Sequence, residues 1–408
     1  MNFRKFFIGC LFAWATIVGF LGLFDTLKHR EAQAAPRLLT WGLDTGVSPA
    51  NVCLYYTSAA CFNIGTMSAG GAFAMPPANL AAMPAETVLG NGTNASASPT
   101  ALALPFSQPL GRLTLQSGVP VMTTNTAGAT TVYYTPYNGY QIALPDGVAG
   151  GMVSQIFTEL SQLTTDATKS PAAVAASSCY DIFVWNDAGT LRATRGAAWT
   201  NCTSRGAGMA AIGRINGTFV NTNTITNGPP AKMGVWVGAI ASNAGSTIDY
   251  IFGAASSGGT AARLEVCNAF NRQQIFTQVV DSGTAYTYSS ATIRQARASA
   301  GNQASFMSCS AADSVFVGIQ TECATTAAAN TGCDVGFGFD TTASFNGTAR
   351  YRSVAPTAAV FTTGQTVSSY WQPGVGVHVI SSNESSVGAV ANTFSNGGIN
   401  VLSLTLQH

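Results

Sequence analysis

The chain has 408 residues, of which 9% are charged, with 43 glycines and a net charge of +1. An ordinary soluble domain carries roughly 25% charged residues, so hydroxyls and amides must keep this surface wet. Four lysines in all and no basic run argue against a nucleic-acid partner. Scarce Lys and Glu leave few formers of exposed helix, while abundant Thr suits half-exposed strands.

Residues 1–34 read as an export leader, expected to be helical. Arg4 and Lys5 form a basic start, Phe6 to Phe24 is an apolar run of 19 residues, and Ala32-Gln33-Ala34 is a small-x-small cleavage site that would leave Ala35 first. The alternative is an uncleaved anchor, since 19 residues at ~1.5 Å each reach ~28 Å, close to a bilayer core. The membrane would then be met only through this leader.

Cysteine use agrees with export. Cys10 lies in the leader; Cys53, Cys61, Cys179, Cys202, Cys267, Cys309, Cys323 and Cys333 follow it. Eight cysteines allow 105 pairings, and nearest-neighbour pairing is the simplest: Cys53–Cys61, Cys179–Cys202, Cys267–Cys309 and Cys323–Cys333. Free buried thiols are the ordinary alternative. A metal site is not expected, because no Cys-x-x-Cys occurs and only His378 and His408 follow the leader.

Residues 35–75 form a small unit holding Cys53 and Cys61, with a strand over Val52 to Tyr56 and a loop in "GTMSAGGAF". Residues 76–109, rich in Pro, Ala, Asn and Ser, read as a linker. Residues 110–165 predict strands in "RLTLQSGVPVM", "TTVYYTPY" and "GYQIALPDG", the last closed by Pro145-Asp146-Gly147. Met152, Ile156, Leu160 and Leu163 share one face at helical spacing, which predicts a short helix over 152–163. Residues 166–408 read as short strands between turns: a hairpin in "YDIFVWNDAGTLRATRG" turning at Asn186-Asp187-Ala188-Gly189, then "KMGVWVGAIAS", "STIDYIFGAA", "RLEVCNAF", "TAYTYSSATIRQA", "SVFVGIQTE", "DVGFGFD", "GVGVHVIS" and "NVLSLTLQH". The expected fold is mainly β, an antiparallel sandwich-type body with few short helices.

"AETVLGNGTNASASPTALAL" and "GRLTLQSGVPVMTTNTAGATTVYYTPYNGYQIALPDG" resemble segments of bacteriophage and prophage tail-fibre-like virion proteins, as do "SPAAVAASSCYDIFVWNDAGTLRATRGAAWTNCTSR", "NGPPAKMGVWVGAIASNAGSTIDYIFGAA" and "VCNAFNRQQ". The resemblance covers about residues 85–340 and brings no catalytic motif. It implies a structural or adhesive role, a surface glycan or protein as partner, and a homotrimer. The leader and the cysteines depart from it, because virion proteins assemble in the cytosol. A β domain of this type that is secreted or held at the cell surface fits better, with a virion tail protein as the alternative.

Catalytic candidates are few. Asp334 and Asp340 in "CDVGFGFD" would stand about 20 Å apart on an extended strand, beyond the ~5–10 Å of a glycosidase pair unless a turn closes the gap; a secreted glycan hydrolase is therefore the alternative function. Asp181 reads as a solvent-facing strand residue, Asp187 as a turn residue, and His378 as a structural histidine. No Gly-x-Ser-x-Gly elbow, phosphate loop or dinucleotide fingerprint occurs, so no cofactor is expected. Aromatics are the better lead. Tyr133, Tyr134, Tyr137 and Tyr140 cluster around one hairpin; one of the first two should pack inward, while Tyr137 and Tyr140 could stack on sugar rings. Trp185, Trp199 and Trp236 read as core anchors, and Trp371, beside turn residues, as the most exposed tryptophan and a further ligand-binding candidate. Six Asn-x-Ser/Thr sequons, at Asn91, Asn94, Asn201, Asn216, Asn346 and Asn383, are what so much Asn and Thr produces by chance.

Overall fold

The computed structural model describes strands at residues 40–44, 51–55, 61–67, 73–74, 87–90 and 100–103, and describes 108–147, 151–205, 211–326, 328–347, 349–395 and 400–408 with their side chains. The fold is mainly β; the helical turn Ala296–Ala298 is the one helix among these residues. The chain divides into two compact units, Met1–Leu102 and Ala103–His408. The expected leader lies outside the described residues.

In the first unit, Thr40–Asp44, Asn51–Tyr55, Cys61–Met67 and Phe73–Ala74 form an antiparallel meander. Two of these strands enter "GTMSAGGAF", expected to be loop. Cys53 pairs in register with Asn63, and Cys61 with Tyr55; the Cys53–Cys61 bond itself lies outside the described residues. Thr87–Gly90 and Thr100–Ala103 form a two-stranded sheet within the stretch read as linker.

In the second unit two large sheets stack into a sandwich. One has the order Arg350–Val354, Gly332–Phe339, Gly376–Val387, Gln303–Ser308, Ala262–Leu264, Ile248–Ile251 and Thr126–Ala129, with Arg294–Gln295 beside Gly376–Val387. The other runs Ala255–Ser256, Gln274–Asp281, Asn400–Gln407, Val315–Ala324, Asn392–Phe394 and Tyr286–Tyr288, with Thr362–Trp371 on the free side of Val315–Ala324. Pairing is antiparallel except where Ala262–Leu264 meets Gln303–Ser308 and Ala255–Ser256 meets Gln274–Asp281. The strands Gln274–Asp281 and Thr362–Trp371 were not among those predicted.

Strict alternation in the second sheet shows why it forms. Ile275 and Val279, Val315, Val317 and Ile319, and Leu402, Leu404 and Leu406 turn inward and are buried, while their neighbours face out. They share one core with Leu264, Phe306, Val335, Phe337 and Ile380 of the facing sheet. Burying a Val, Leu or Ile side chain contributes about 1.5–3 kcal/mol.

A third sheet, Thr190–Ala198, Cys179–Asp187, Val235–Ala241, Thr218–Asn221 and Ile212–Ile215 with Val266–Asn268, lies between two cores. Tyr180, Ile182 and Val184 enter the main core; Cys179 and Phe183 enter a second one with Trp199, Trp236 and Met307. Asp181, expected to face solvent, alternates with Tyr180 and Ile182 and so lies on the side of Cys179 and Phe183, toward the second core. It is fully buried there and accepts hydrogen bonds from Trp199 Nε1 at 3.0 Å and Arg205 at 2.5 Å. Burial raises its pKa, against the pull of Arg205. The hairpin turn is tighter than predicted: Asn186 and Asp187 still pair with Leu191 and Thr190, so Ala188 and Gly189 alone make it, both at positive φ.

Among the described residues three disulfides are present, Cys179–Cys202, Cys267–Cys309 and Cys323–Cys333, as nearest-neighbour pairing predicted. The last joins the two sheets of the sandwich, Cys323 on Val315–Ala324 and Cys333 on Gly332–Phe339. A hydrogen bond joins them elsewhere: Glu384, paired with Arg294 of its own sheet at 2.8 Å, also accepts the Tyr286 hydroxyl of the facing sheet. Asp281 takes Arg297, from the helical turn, at 2.6 Å. Asn383, one of the six sequons, is fully buried and donates to Ser344 O, so it cannot carry a glycan in the folded chain.

The helix predicted over 152–163 is absent: Met152–Ile156 and Leu160–Leu163 are strands. Met152–Ile156 pairs with Gln141–Pro145, and Leu160–Leu163 with Thr131–Pro136. The two segments are the return arm of one long hairpin, whose ladder hydrogen bonds overrode a helical spacing of apolar residues. Ile156 and Leu163, assigned to the helix's buried face, are exposed, and the unassigned Phe157 is buried against Tyr134 with ring centroids 5.0 Å apart.

Replacing Cys323 and Cys333 together by Ser should lower the unfolding free energy by about 3 kcal/mol, the loop-closure contribution expected of this spacing. Urea denaturation under oxidising conditions measures it; a shift under 1 kcal/mol would show that the core alone holds the sheets together.

Candidate functional site

The long hairpin is bent, and the bend makes a cleft. Tyr134 opposes Leu160 and Gln141 opposes Ile156, so residues 135–140 face only 157–159 across the ladder. The three surplus residues are extruded as a corner. Its backbone is pinned: the amides of Tyr137 and Asn138 donate to Leu110 O at 3.1 and 2.9 Å, and that of Phe157 donates to Tyr140 O at 2.8 Å. Gly139 has φ 154°, and a Cβ there would sit 2.7 Å from a Leu110 methyl, so this position requires glycine.

The cleft holds about 560 Å³. Tyr137 and Tyr140 line it together with Glu159, Ser117, Gly118 and Thr135. Tyr140 is 67% exposed. Tyr137 is half-buried, its ring 5.6 Å from the Arg112 guanidinium carbon. Arg112 is itself buried, donating to Pro120 O at 2.9 Å, to His408 O at 3.1 Å and to Asn271 O. This cation under the ring fixes the plane that Tyr137 presents. Of the first two tyrosines, Tyr134 is the inward one: its hydroxyl accepts from the Gly111 amide at 3.0 Å.

Glu159 accepts the Ser117 hydroxyl at 2.5 Å, and the Gly118 amide and Thr135 hydroxyl each at 2.6 Å. Burial disfavours its charge, but these three hydrogen bonds outweigh it and hold the pKa below the ordinary value. The carboxylate is therefore ionised at neutral pH and held in one orientation, ready to accept from a ligand hydroxyl. Sequence reasoning missed it, because Glu159 fell inside the predicted helix. Ser117-Gly118 fell inside a predicted strand, although a Ser-Gly pair is itself a turn signal; Gly118 indeed turns, at φ 72°.

Trp371 is not part of this cleft. It is half-buried, stacked on Phe339 with centroids 4.5 Å apart and edge-on to Phe306 and His378. Trp185, Trp199 and Trp236 are more deeply buried. His378 is buried and bonds Asp340 through Nδ1 at 2.9 Å. Asp334 is engaged separately, by Arg352 at 2.7 and 2.6 Å. The strand Gly332–Phe339 stays extended between the two aspartates, so they remain about 20 Å apart. Asp187 ends its strand in ion pairs with Lys169 and Arg192. Among the described residues no cluster of three or more His, Cys, Asp and Glu is placed to hold a metal ion.

A carboxylate pair that sequence reasoning did not find lies at Asp249 and Glu265. The Asp249 amide donates to Glu265 at 2.6 Å, and the Asp249 carboxylate takes Arg263 at 2.9 Å and the Gly128 amide at 2.8 Å. Burial, reinforced by the charge of Asp249, pushes the Glu265 carboxyl up to about 7. Asp249 moves down instead: burial opposes its charge, but the Gly128 amide, Asn243 and Arg263 prevail.

No family model matches the chain, and no curated protein matches it. Among solved structures it aligns with one titled "Structure of infectious bursal disease virus Gx strain", at 11% identity over 90% of this chain and 72% of that one, with a TM-score of 0.14. At that score the likeness carries no weight for fold or function. The three disulfides themselves point to an oxidising, extracellular or secreted setting.

Glu265 has a testable consequence for stability. Between about 4.5 and about 7 the folded chain keeps a proton that the unfolded chain has lost, so stability falls as pH rises through that window. Glu265→Gln should abolish this loss and raise the melting temperature at pH 8, by several degrees relative to its effect at pH 4.5. His408, buried and held down to about 3, acts in the opposite sense below about 6.5 and is common to both proteins. The difference between the two melting curves therefore isolates Glu265, and a pH-independent difference would refute the assignment.

Proposed function

We propose that the chain is a secreted structural or adhesive protein that binds a surface glycan through the Tyr137–Tyr140 cleft. One observation carries the reading: an exposed tyrosine, a braced tyrosine and a fixed, ionised carboxylate line the same open cleft of about 560 Å³. A sugar presents an apolar ring face and a rim of hydroxyls. The tyrosine rings suit the first, and Glu159 accepts from the second. Attachment rather than turnover is supported because one carboxylate lines the cleft, whereas hydrolysis needs a pair ~5–10 Å apart. The phage-tail-like segments "GRLTLQSGVPVMTTNTAGATTVYYTPYNGYQIALPDG" supply the cleft's Tyr side, Ser117 and Gly118, which agrees with an adhesive origin. Trimeric assembly belongs to the same proposal, and light scattering reads it directly.

Glycan-array binding of the secreted protein should fall about tenfold, the equivalent of ~1.4 kcal/mol, on Tyr140→Ala, and at least as far on Glu159→Gln. Tyr133→Ala, outside the cleft lining, should leave it unchanged. Equal binding by wild type and Tyr140→Ala on every responding glycan would exclude this cleft as the site.

A further inference from the structure

The outer face of the sheet Gln274–Asp281, Asn400–Gln407, Val315–Ala324 and Thr362–Trp371 carries three exposed aromatic rings in one row. Phe276 opposes Thr405, Thr405 opposes Phe316, and Phe316 opposes Tyr370. Phe276 is 59% exposed, Phe316 37% and Tyr370 73%. The Phe316 and Tyr370 rings touch, with centroids 5.0 Å apart. Four strands at ~4.8 Å spacing make the row about 14 Å long. Isolated exposed aromatics need no explanation, but an aligned row on a water-facing sheet does.

Beside the row lies a shallow pocket of about 350 Å³, walled by Phe316 and Tyr370 and edged by Gln274, Ser314, Thr405 and Gln407. None of these four polar side chains is committed to a hydrogen bond with another described residue. The next two rows, Gln278–Ser403–Gly318–Ser368 and Val280–Val401–Gln320–Thr366, add no acidic or basic group. These three rows thus offer ring faces, amides and hydroxyls, and no formal charge; Glu322 stands one row further along the same face.

We propose that this face is a second binding site, for an uncharged glycan chain laid across the strands. Sugar rings that stack on Phe276, Phe316 and Tyr370 would turn their hydroxyl rims toward the free amides of Gln274 and Gln407 and toward Thr405. A charge-free platform matches a neutral polymer, since an acidic one would find no cation here. The site stands independently of the Tyr137–Tyr140 cleft, which shares no residue with it and carries a carboxylate.

The test is pull-down and affinity electrophoresis of the secreted full chain on β-1,3-glucan, β-1,4-glucan, mannan and galactan, with polygalacturonate and heparin as acidic controls. Wild type should bind at least one neutral polymer. Phe316→Ala/Tyr370→Ala should weaken that binding at least tenfold, Gln407→Ala should weaken it several-fold, and Tyr140→Ala should leave it unchanged. These side chains point to solvent, so the urea midpoint should not move; should the double variant fail to fold, Gln407→Ala alone decides. Capture by none of the neutral polymers, capture by the acidic ones only, or undiminished capture of the substituted proteins overturns the proposal. So does a change of oligomeric mass on Phe316→Ala/Tyr370→Ala with glycan binding intact, which would make the face a contact between copies.

Discussion

The sandwich depends on one constraint: the inward side chains of Gln274–Asp281, Val315–Ala324 and Asn400–Gln407 must be buried against the facing sheet. Each strand alternates, so a shift by one residue would expose Val315, Val317 and Ile319 together and bury Phe316 and Gln320 in their place. That penalty fixes the register, and the register places Phe276, Thr405, Phe316 and Tyr370 in line. The outer aromatic row is thus a consequence of inner packing. What packing does not require is that those outward positions be aromatic, which gives the row its functional interest.

A chain with so few charges uses them sparingly, and many where water is scarce. Asp181 with Arg205, Asp281 with Arg297 and Glu384 with Arg294 are ion pairs whose carboxylates are buried. Such pairs add little net stability compared with apolar packing, but removing one partner leaves an uncompensated charge at a cost of about 3–5 kcal/mol. Their value here is alignment. Arg297 ties the helical turn to Asp281, and Glu384, held by Arg294 of its own sheet, accepts the Tyr286 hydroxyl across the sandwich, which the Cys323–Cys333 bond also crosses.

The two candidate surfaces differ in the chemistry they offer. The cleft at the bent hairpin has a braced ring, a free ring and an oriented carboxylate. The aromatic row and the two rows beside it on the sheet face have no formal charge, and the pocket edge has several uncommitted amides and hydroxyls. A protein with both could hold two different glycans, or one branched polymer at two points, which multiplies attachment when both are engaged. Disulfide stapling suits such a role, since cross-links restrict the unfolded chain.

Composition and period-2 alternation were enough to read the mainly β fold, most strands of the second unit and the pairing of three disulfides. These signals are local: a strand's pattern lies within its own residues, and each paired cysteine has its partner next in order along the chain. Tyr137 and Tyr140 were legible as candidates because turn residues surround them. The return arm of the hairpin was not, because Met152, Ile156, Leu160 and Leu163 fit a helix equally well and only pairing with Gln141–Pro145 and Thr131–Pro136 selects the strand. Glu159 became visible only once that arm folded back beside Ser117 and Thr135. Asp181 needed the second core that covers its side of the sheet, and Asp249 and Glu265 needed two strands brought together. The aromatic row needed a register across four strands distant in sequence. Local preference is written residue by residue, whereas which residues meet is decided by burial of the whole core, and the sites here are meetings.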